Sequence, residues 1–493
     1  MPHIAVAFYR ERLVAYNIDA DCGHGCFAPG SRTCGRHPAA GSAHHRQWGR
    51  PKGEQNGENM PSKKKLLVIG AGDFQLALVK RASQMCDVLL AAPIISASFE
   101  PYIKDALYCD VRDFDRILEF AQGANHFECP VDGVITDETD IPVLTVARIA
   151  QAMDLPGIDP DIARLFTNKA LMRTRMEELG IKVLPHKTVR TLDEAIAVFE
   201  EIGTTVIIKP LDAQGSRGVK RCDTAEEIAE YFTEAARWST SHRVIVEQCA
   251  KGREFVVEGL ALDYEFKNLC IGDTVYFQSV DSLSAKERTF PTVVNDELRD
   301  RVLELNRQIV TGFGLKQGIT HSEFVMDGDD IFLIETAARG GGAFISSDLI
   351  PGSCGLVSED LLVRLALGEV KTYDDLRQLH VLDHIDDGDE PALHPLQHCG
   401  YLAFYIPVGV VESVRGVQEV LALPYVGNTQ IEHLESLVGA EYVTGHSDKT
   451  SRFLVTFSGD TRAQLEERMA YIRSTIQMDV RQPDGTLTGL IWE

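Results

Sequence analysis

No stretch of this 493-residue chain is apolar for long enough to cross a membrane, and no basic segment leads into an apolar core and cleavage site near its start. A membrane partner is therefore not expected, and the expected location is the cytoplasm. Basic charge is scarce as well: 49 Lys and Arg stand against 73 Asp and Glu, a formal charge of −24. Nucleic acid and anionic membrane surfaces both need basic ground, so neither is an expected partner, and any phosphate must be met by a local cluster of cations. A disulfide frame is missing too. The 11 cysteines are an odd number, and Cys86, Cys249 and Cys270 sit in apolar or strand-like text, which marks reduced packing residues.

What is present divides the chain into blocks, and its length asks for about three domains. Residues 1–59 are rich in Gly, His, Arg and Pro with little period, and read as a disordered leader. Cys22, Cys26 and Cys34 with His24 and His37 match no closed four-ligand zinc spacing. Met60 opens MPSKKKLLVIGAG, which reads like a natural protein start. Residues 60–160 alternate strand and helix, from KLLVIGAG through DFQLALVKRASQM and CDVLLAAP to VDGVITD and a helix over Ile141–Met153, the pattern of a Rossmann-like domain. Gly70 and Gly72 begin a dinucleotide fingerprint, but its third glycine is Gln75. Ala91 and Ala92 stand where a ribose-binding acid belongs, so no nicotinamide cofactor is expected.

Residues 161–375 carry helical LMRTRMEELG, the strand VIIKP, a loop DAQGSRGV, the helix EEIAEYFTEAARW and the strands RVIVEQ and FVVEGLALD. A helix from about Asn295 to Phe313 and an acidic hairpin complete the block. A polar linker over 376–395 leads to residues 396–493, a small α+β domain with strands YLAFYIPVG and RFLVTFSG and a helix over Ala463–Ile476. The fold class expected is α/β and α+β multidomain.

The hairpin, HSEFVMDGDDIFLIETAARGGG, holds the sharpest chemistry. A three-residue loop at Gly328–Asp330 would pair Asp327 with Ile331 and set Glu323 opposite Glu335; a two-residue loop would break that pairing. Carboxylates roughly 5 Å apart repel by about 3 kcal/mol at an effective dielectric of about 20, and a cation that prefers oxygen removes that cost. Lys209 ends VIIKP among apolar neighbours, where an ammonium calls for an anion. The loop holding Gly215, Ser216, Arg217 and Gly218 can close backbone N–H groups over phosphate. Lys169, at a helix start after Asn168, is the weaker phosphate candidate because helical lysines are usually solvated. Glu247 ends one strand and Glu254 starts the next, where main-chain groups suit a purine edge and a carboxylate suits ribose hydroxyls. Arg339 precedes Gly340, Gly341 and Gly342, whose missing side chains let a ligand approach; its guanidinium suits a carboxylate or acyl phosphate, and the same segment also allows a structural ion pair. His321 shares the face of Glu323 and reads either as a substrate or metal contact or as an ordinary strand histidine.

Taken in order, VIIKP, the glycine loop, VIVEQCAKGRE and two acidic strands ending in ETAARGGG resemble the ATP-grasp superfamily over roughly Lys65 to Glu493, with a C-terminal domain similar to that of the L-amino acid ligases. The resemblance implies that residues 161–375 form an ATP-grasp domain in which Lys169 and Lys209 contact ATP phosphates. It implies further that Glu247 and the Gln248, Cys249 and Ala250 backbone hold adenine, Glu254 binds ribose, Glu323 and Glu335 bind Mg²⁺ (or Mn²⁺ in its place), and Arg339 stabilises an acyl phosphate. In the commonest pattern an asparagine follows the second glutamate by two positions; here that place is Ala337. The implied activity is a carboxylate–amine ligase whose partners are a small-molecule carboxylate and an amine, and a homodimer is compatible with it. Carboxylation through carboxyphosphate is the rival activity, although no biotin-carrier motif is present, and a nucleotide-binding regulator is the rival class. The Gly340–Gly355 region and the Lys286–Phe290 segment are the expected pocket walls. Removing residues 1–59 is expected to leave the melting temperature within a few degrees of the full chain; a fall of about 10 °C or more in a thermal melt would contradict the leader assignment.

Overall fold

Strands that are apolar at every position belong in parallel sheets covered on both faces. The first block follows that rule in the computed structural model, which describes residues 63–123, 130–213, 215–278, 283–382, 389–443 and 451–493. The 1–59 leader with its Cys and His residues, and the middle of the 376–395 linker, lie outside the described residues. β1 (Lys65–Ile69), β2 (Asp87–Ala92), β3 (Asp105–Tyr108) and β4 (Gly133–Ile135) form a parallel sheet in the order β3-β2-β1-β4. Leu78 and Val79 of the helix Leu76–Met85 pack on Leu66 and Val68, while Ile117, Phe120 and Ile149 cover Leu67 and Ile69 from the other side. This is the Rossmann-like domain. The loop after β1 is sealed by Gln75: it accepts from the Gly72 N–H (2.9 Å) and donates to Thr136 (3.2 Å). Gly70, at φ +111°, leaves the room it needs, since a Cβ there would lie 2.5 Å from the Gln75 amide.

The second sheet is antiparallel. β5 (His186–Val189), β6 (Val206–Pro210), β7 (Lys220–Cys222) and β8 (Val244–Gln248) run in the order β5-β8-β6-β7. Helices Leu192–Ile202 and Ala225–Trp238 pack their apolar stripes onto it. Each starts from a threonine capping box, Thr191 with Glu194 and Thr224 with Glu227.

The third sheet joins the middle of the chain to its end. β9 (Arg253–Leu262), β10 (Glu265–Tyr276), β11 (Ala285–Phe290), β12 (Gly318–Asp327) and β13 (Asp330–Ala337) are followed by the C-terminal strands. Those are β14 (His398–Tyr405), β15 (Gly409–Arg415), β16 (Val426–Thr429), β17 (Glu441–Tyr442), β18 (Arg452–Gly459), β19 (Gln477–Arg481) and β20 (Leu487–Thr488). The eight-stranded order is β13-β12-β9-β10-β11-β14-β18-β16, so the α+β C-terminal region shares a sheet with the acidic hairpin through the pairing of β11 with β14. β15, β17, β19 and β20 make a separate small sheet. The helix Asp296–Phe313, capped by Asn295, buries Val302, Ile309, Val310 and Phe313 against Phe255, Val257 and Phe324. Strand alternation then sends Glu254, Val256 and Glu258 to the opposite face.

The hairpin differs from the expectation in one respect. Asp327 pairs with Asp330, so the loop is the two residues Gly328 and Asp329, with Gly328 at φ +61°. A regular ladder from that loop would set Glu323 opposite Ile334 and turn Glu335 to the other face. Instead Phe324 pairs with Leu333 and Glu323 with Glu335, leaving Ile334 as the extra residue of a β-bulge. The carboxylate pairing is as expected; the device that produces it is the bulge, not a longer loop.

The turn between β8 and β9 lies against this hairpin, with the Lys251 N–H donating to Asp327 (3.1 Å). A Cβ on Gly252 would lie 1.7 Å from the Met326 carbonyl oxygen. Gly252→Ala should cost about 1–3 kcal/mol of stability as the turn is forced off the hairpin; an unchanged melting temperature would contradict the close approach.

Candidate functional site

On the face of the third sheet away from the helix Asp296–Phe313, strand alternation brings together Glu258, His321, Glu323 and Glu335. His321 pairs with Glu258 on one side and Ala337 on the other, and Glu323 with Val256 and Glu335. Arg288, from β11, reaches across this face to the Glu323 carboxylate. His321 Nδ1 meets Glu258 Oε1 at 2.5 Å, and its Nε2 lies 3.2 Å from Glu323 and 3.3 Å from Arg288. Burial alone would raise the Glu323 carboxyl, but Arg288, and after it His321, hold it well below the usual range. Burial would likewise discharge His321; Glu258 beside it, with help from Glu323, raises its pKa instead. Glu254 sits further along β9. Burial pushes its carboxyl up to about 7 even though the Tyr276 hydroxyl donates to it at 2.6 Å.

The helix Lys169–Glu178 crosses beside this face. Its N-cap Asn168 accepts from Ala170 and Leu171, which fixes Lys169 at the first turn. Lys169 is buried, not solvated as its helical position suggests: Nζ donates to the Ala213 carbonyl (3.0 Å) and pairs with Glu335 (3.1 Å). One turn on, Arg173 is 1% exposed and grips Glu247 with Nε (2.7 Å) and a terminal nitrogen (3.2 Å). Lys209, at the end of β6, reaches the same carboxylate at 2.8 Å. Burial opposes the charge on Glu247, but Arg173 and then Lys209 hold its pKa down to about 2. The anion that Lys209 calls for is supplied by Glu247.

The other expected residues are placed as follows. Gly215 and Gly218 have φ +65° and Ser216 +59°, while Ser216 donates to the Leu283 carbonyl (3.2 Å) and Arg217 lies over the Trp238 ring. Gln248 and Cys249 already spend their N–H groups on Pro185 (2.8 Å) and Thr205 (2.9 Å), and Ala250 follows half-buried. Arg339 is held by two parallel bonds to Asp140 (2.7 and 3.0 Å) and donates to the Gly340 carbonyl, so the structural ion pair is real and two of its five N–H groups stay unspent. Burial opposes its charge, and Asp140 more than restores it. The glycines after it make room for the protein's own groups. A Cβ on Gly341 would lie 2.8 Å from both Glu258 and His321, and one on Gly340 2.2 Å from Ser346.

Sequence reading missed Arg173, Glu258 and Asp140. Glu258 was within reach, since alternation from Glu254 puts it on the same face; Arg173 carries no local mark among the charged residues of its helix. Arg288 falls inside the Lys286–Phe290 segment expected to wall the pocket. Among the described residues no group of three or more His, Cys, Asp or Glu is placed to hold a metal ion, and none of the helices is long and apolar enough to cross a membrane. The Glu323–Glu335 pair, with side chains 24% and 32% exposed, still offers the hard oxygen donors that Mg²⁺ takes from protein when waters and phosphates complete its shell.

Residues 202–348 match the ATP-grasp domain family. The chain is 29% identical to an uncharacterized protein of Sinorhizobium fredii over 44% of each chain. It is 25% identical to an alanine–anticapsin ligase of Bacillus subtilis over 42% of this chain and 48% of the relative, so the match spans about half the length of these curated relatives. The fold follows that of an L-amino acid ligase from Bacillus licheniformis, with a TM-score of 0.69, 19% identity and coverage of 85% of this chain and 99% of that one. The resemblance to the ATP-grasp superfamily therefore holds in sequence over residues 202–348, which match its domain, and the fold follows that of an ATP-grasp ligase.

Raised carboxyl pKa values set a pH dependence of stability. Besides Glu254, burial lifts Glu359 to about 8, with Asp137, Asp348 and Asp360 adding to the shift. A carboxyl whose folded pKa exceeds its unfolded value stabilises the fold at low pH and loses that contribution as pH rises through the folded value. Stability of the nucleotide-free protein should therefore fall between about pH 5 and pH 8. Glu254→Gln and Glu359→Gln should each flatten that slope in melts across the range; an unchanged slope in both would contradict the assignment.

Proposed function

We propose that the chain is an ATP- and Mg²⁺-dependent carboxylate–amine ligase that works through an acyl phosphate and releases ADP and phosphate. The observation that carries this reading is the pairing of Glu323 with Glu335, each neutralised by a cation from another element, Arg288 and Lys169. A site so arranged can exchange partners at little net electrostatic cost. Mg²⁺ would be held by Glu323 and Glu335 and would supply charge neutralisation to the transferred phosphoryl group. Lys169 and Lys209, freed from their carboxylates, would turn to ATP phosphates together with the Gly215–Gly218 loop. Glu254 would accept ribose hydroxyls, and the Glu247–Ala250 strand end would border the adenine.

In the first step a substrate carboxylate oxygen attacks the γ-phosphorus, the bond to the bridging oxygen breaks and ADP leaves. In the second the amine attacks the acyl carbon, the acyl C–O bond breaks with phosphate leaving, and the nitrogen loses its proton. Arg339, fixed by Asp140, has N–H groups left for the acyl phosphate, and His321, fixed by Glu258, presents Nε2 on the same face as the metal carboxylates. The protein contributes positioning and fixed charge.

The test is a matrix of amino acids and other carboxylates against amines with Mg·ATP, reading nucleotide product and product mass together. ADP, phosphate and an amide are expected. AMP with pyrophosphate, or turnover that needs bicarbonate and no amine, would overturn the reading. Glu335→Gln should stay folded and lose about 100-fold or more in ADP release. Arg339→Lys should lose far more than its conserved charge implies, because one ammonium cannot keep both Asp140 bonds and still donate to substrate; full activity in either variant would contradict these roles.

A further inference from the structure

Among the described residues Arg173 is a large side chain that is almost fully buried, yet it belongs to none of the groups that the proposed reaction needs. Its contacts explain why it is there. From the helix Lys169–Glu178 it sends two bonds to Glu247 on β8, the carboxylate that also holds Lys209 of β6. The same terminal nitrogen donates to the Ile334 carbonyl at 2.7 Å. Ile334 is the bulged residue of β13, and a bulged residue is the one the ladder leaves without a regular partner. Arg173 supplies a partner for its carbonyl. Lys169, one turn earlier on the same helix, holds the next residue, Glu335, by its side chain.

We propose that Arg173 is a positioning residue that locks the phosphate-binding lysine and the metal-binding hairpin into one register, so that nucleotide and divalent cation bind cooperatively through it. The proposal rests on the ligase reading for the identity of the two ligands. Its physical basis is the fork of the guanidinium. Nε and one terminal nitrogen fix Glu247 in the plane, and the second hydrogen of that nitrogen points to the bulge, so the β6–β8 sheet and the hairpin cannot shift separately without breaking a charge-assisted bond. When Lys209 turns to a phosphate, Glu247 keeps Arg173 as its counter-ion and stays in place. A lysine at position 173 could neutralise Glu247, but its single ammonium could not hold the carboxylate in two bonds and reach the Ile334 carbonyl as well.

The test compares the full chain with Arg173→Lys, measuring ATP binding by calorimetry with excess Mg²⁺ and with EDTA, and Mn²⁺ binding without nucleotide by electron paramagnetic resonance. Arg173→Lys should keep both its metal-free ATP affinity and its nucleotide-free Mn²⁺ affinity within about threefold, while the enhancement of ATP affinity by Mg²⁺ falls by about tenfold. A merely structural residue would lower both ATP affinities in step or leave the Mg²⁺ enhancement intact, and either result would overturn the proposal. Should Arg173→Lys fold poorly, Arg173→Met/Glu247→Leu removes the buried Arg173–Glu247 pair, leaves Lys209 to a phosphate, and is expected to show the same loss of Mg²⁺ enhancement; retention of the enhancement there would overturn it equally. Wild type that binds no ATP under either condition would overturn the ligase reading and this inference with it, whereas a wild-type enhancement that survives both substitutions overturns the role of Arg173 alone.

Discussion

One extra residue in one strand decides what this surface can do. Side chains of a strand alternate between faces, so a hairpin that turns through Gly328 and Asp329 and continues regularly would present Glu323 beside Ile334 and send Glu335 to the opposite side. The bulge at Ile334 restores the parity. It places two carboxylates opposite each other, a juxtaposition that costs about 3 kcal/mol at an effective dielectric of about 20 unless cations offset it. The fold provides those cations from two other elements: Lys169 from the start of a helix and Arg288 from β11.

The same economy of partners runs through the rest of the site. Glu247 is kept ionised in the interior by Arg173 and Lys209, and Arg339 by Asp140 of the Rossmann-like domain. Buried ion pairs of this kind add little to stability over an apolar replacement, since desolvation takes back most of the Coulomb energy. Their value lies elsewhere. Under the proposed ligase reading they keep Glu247 and Arg339 ionised and in a fixed place beside the ligands. Preorganised charge of this sort spares a phosphoryl-transfer site the reorganisation that water would have to undergo.

Much of this was legible in the sequence, and the parts that were not share a physical cause. Strand–helix alternation marked the Rossmann-like sheet because β1 and β2 are apolar after their first residue, and helix starts near Asn168 and Asn295 were read to within a residue or two. The Glu323–Glu335 pairing could be read, but through the wrong loop, because a bulge leaves no mark of its own when the inserted residue is an ordinary Ile. Lys169 looked solvated and is buried, since exposure of a helical lysine depends on what crosses the helix and not on its neighbours in sequence. Arg173 and Asp140 were invisible for the same reason: their partners lie 74 and 199 residues away. Of the C-terminal strands only β14 and β18 were read, β14 with an end too late, while β15, β16, β17, β19 and β20 went unread; that β14 extends the hairpin's own sheet is a matter of long-range pairing.

The proposed chemistry requires that the terminal phosphoryl group of ATP be passed to a carboxylate on this face. That transfer leaves an isotopic record. With the carboxylate substrate that supports turnover labelled with ¹⁸O in its carboxyl group, mass spectrometry of the products should find one ¹⁸O in the inorganic phosphate, carried there when the acyl C–O bond breaks. Phosphate free of the label during amide formation, or the label appearing in AMP, would contradict it.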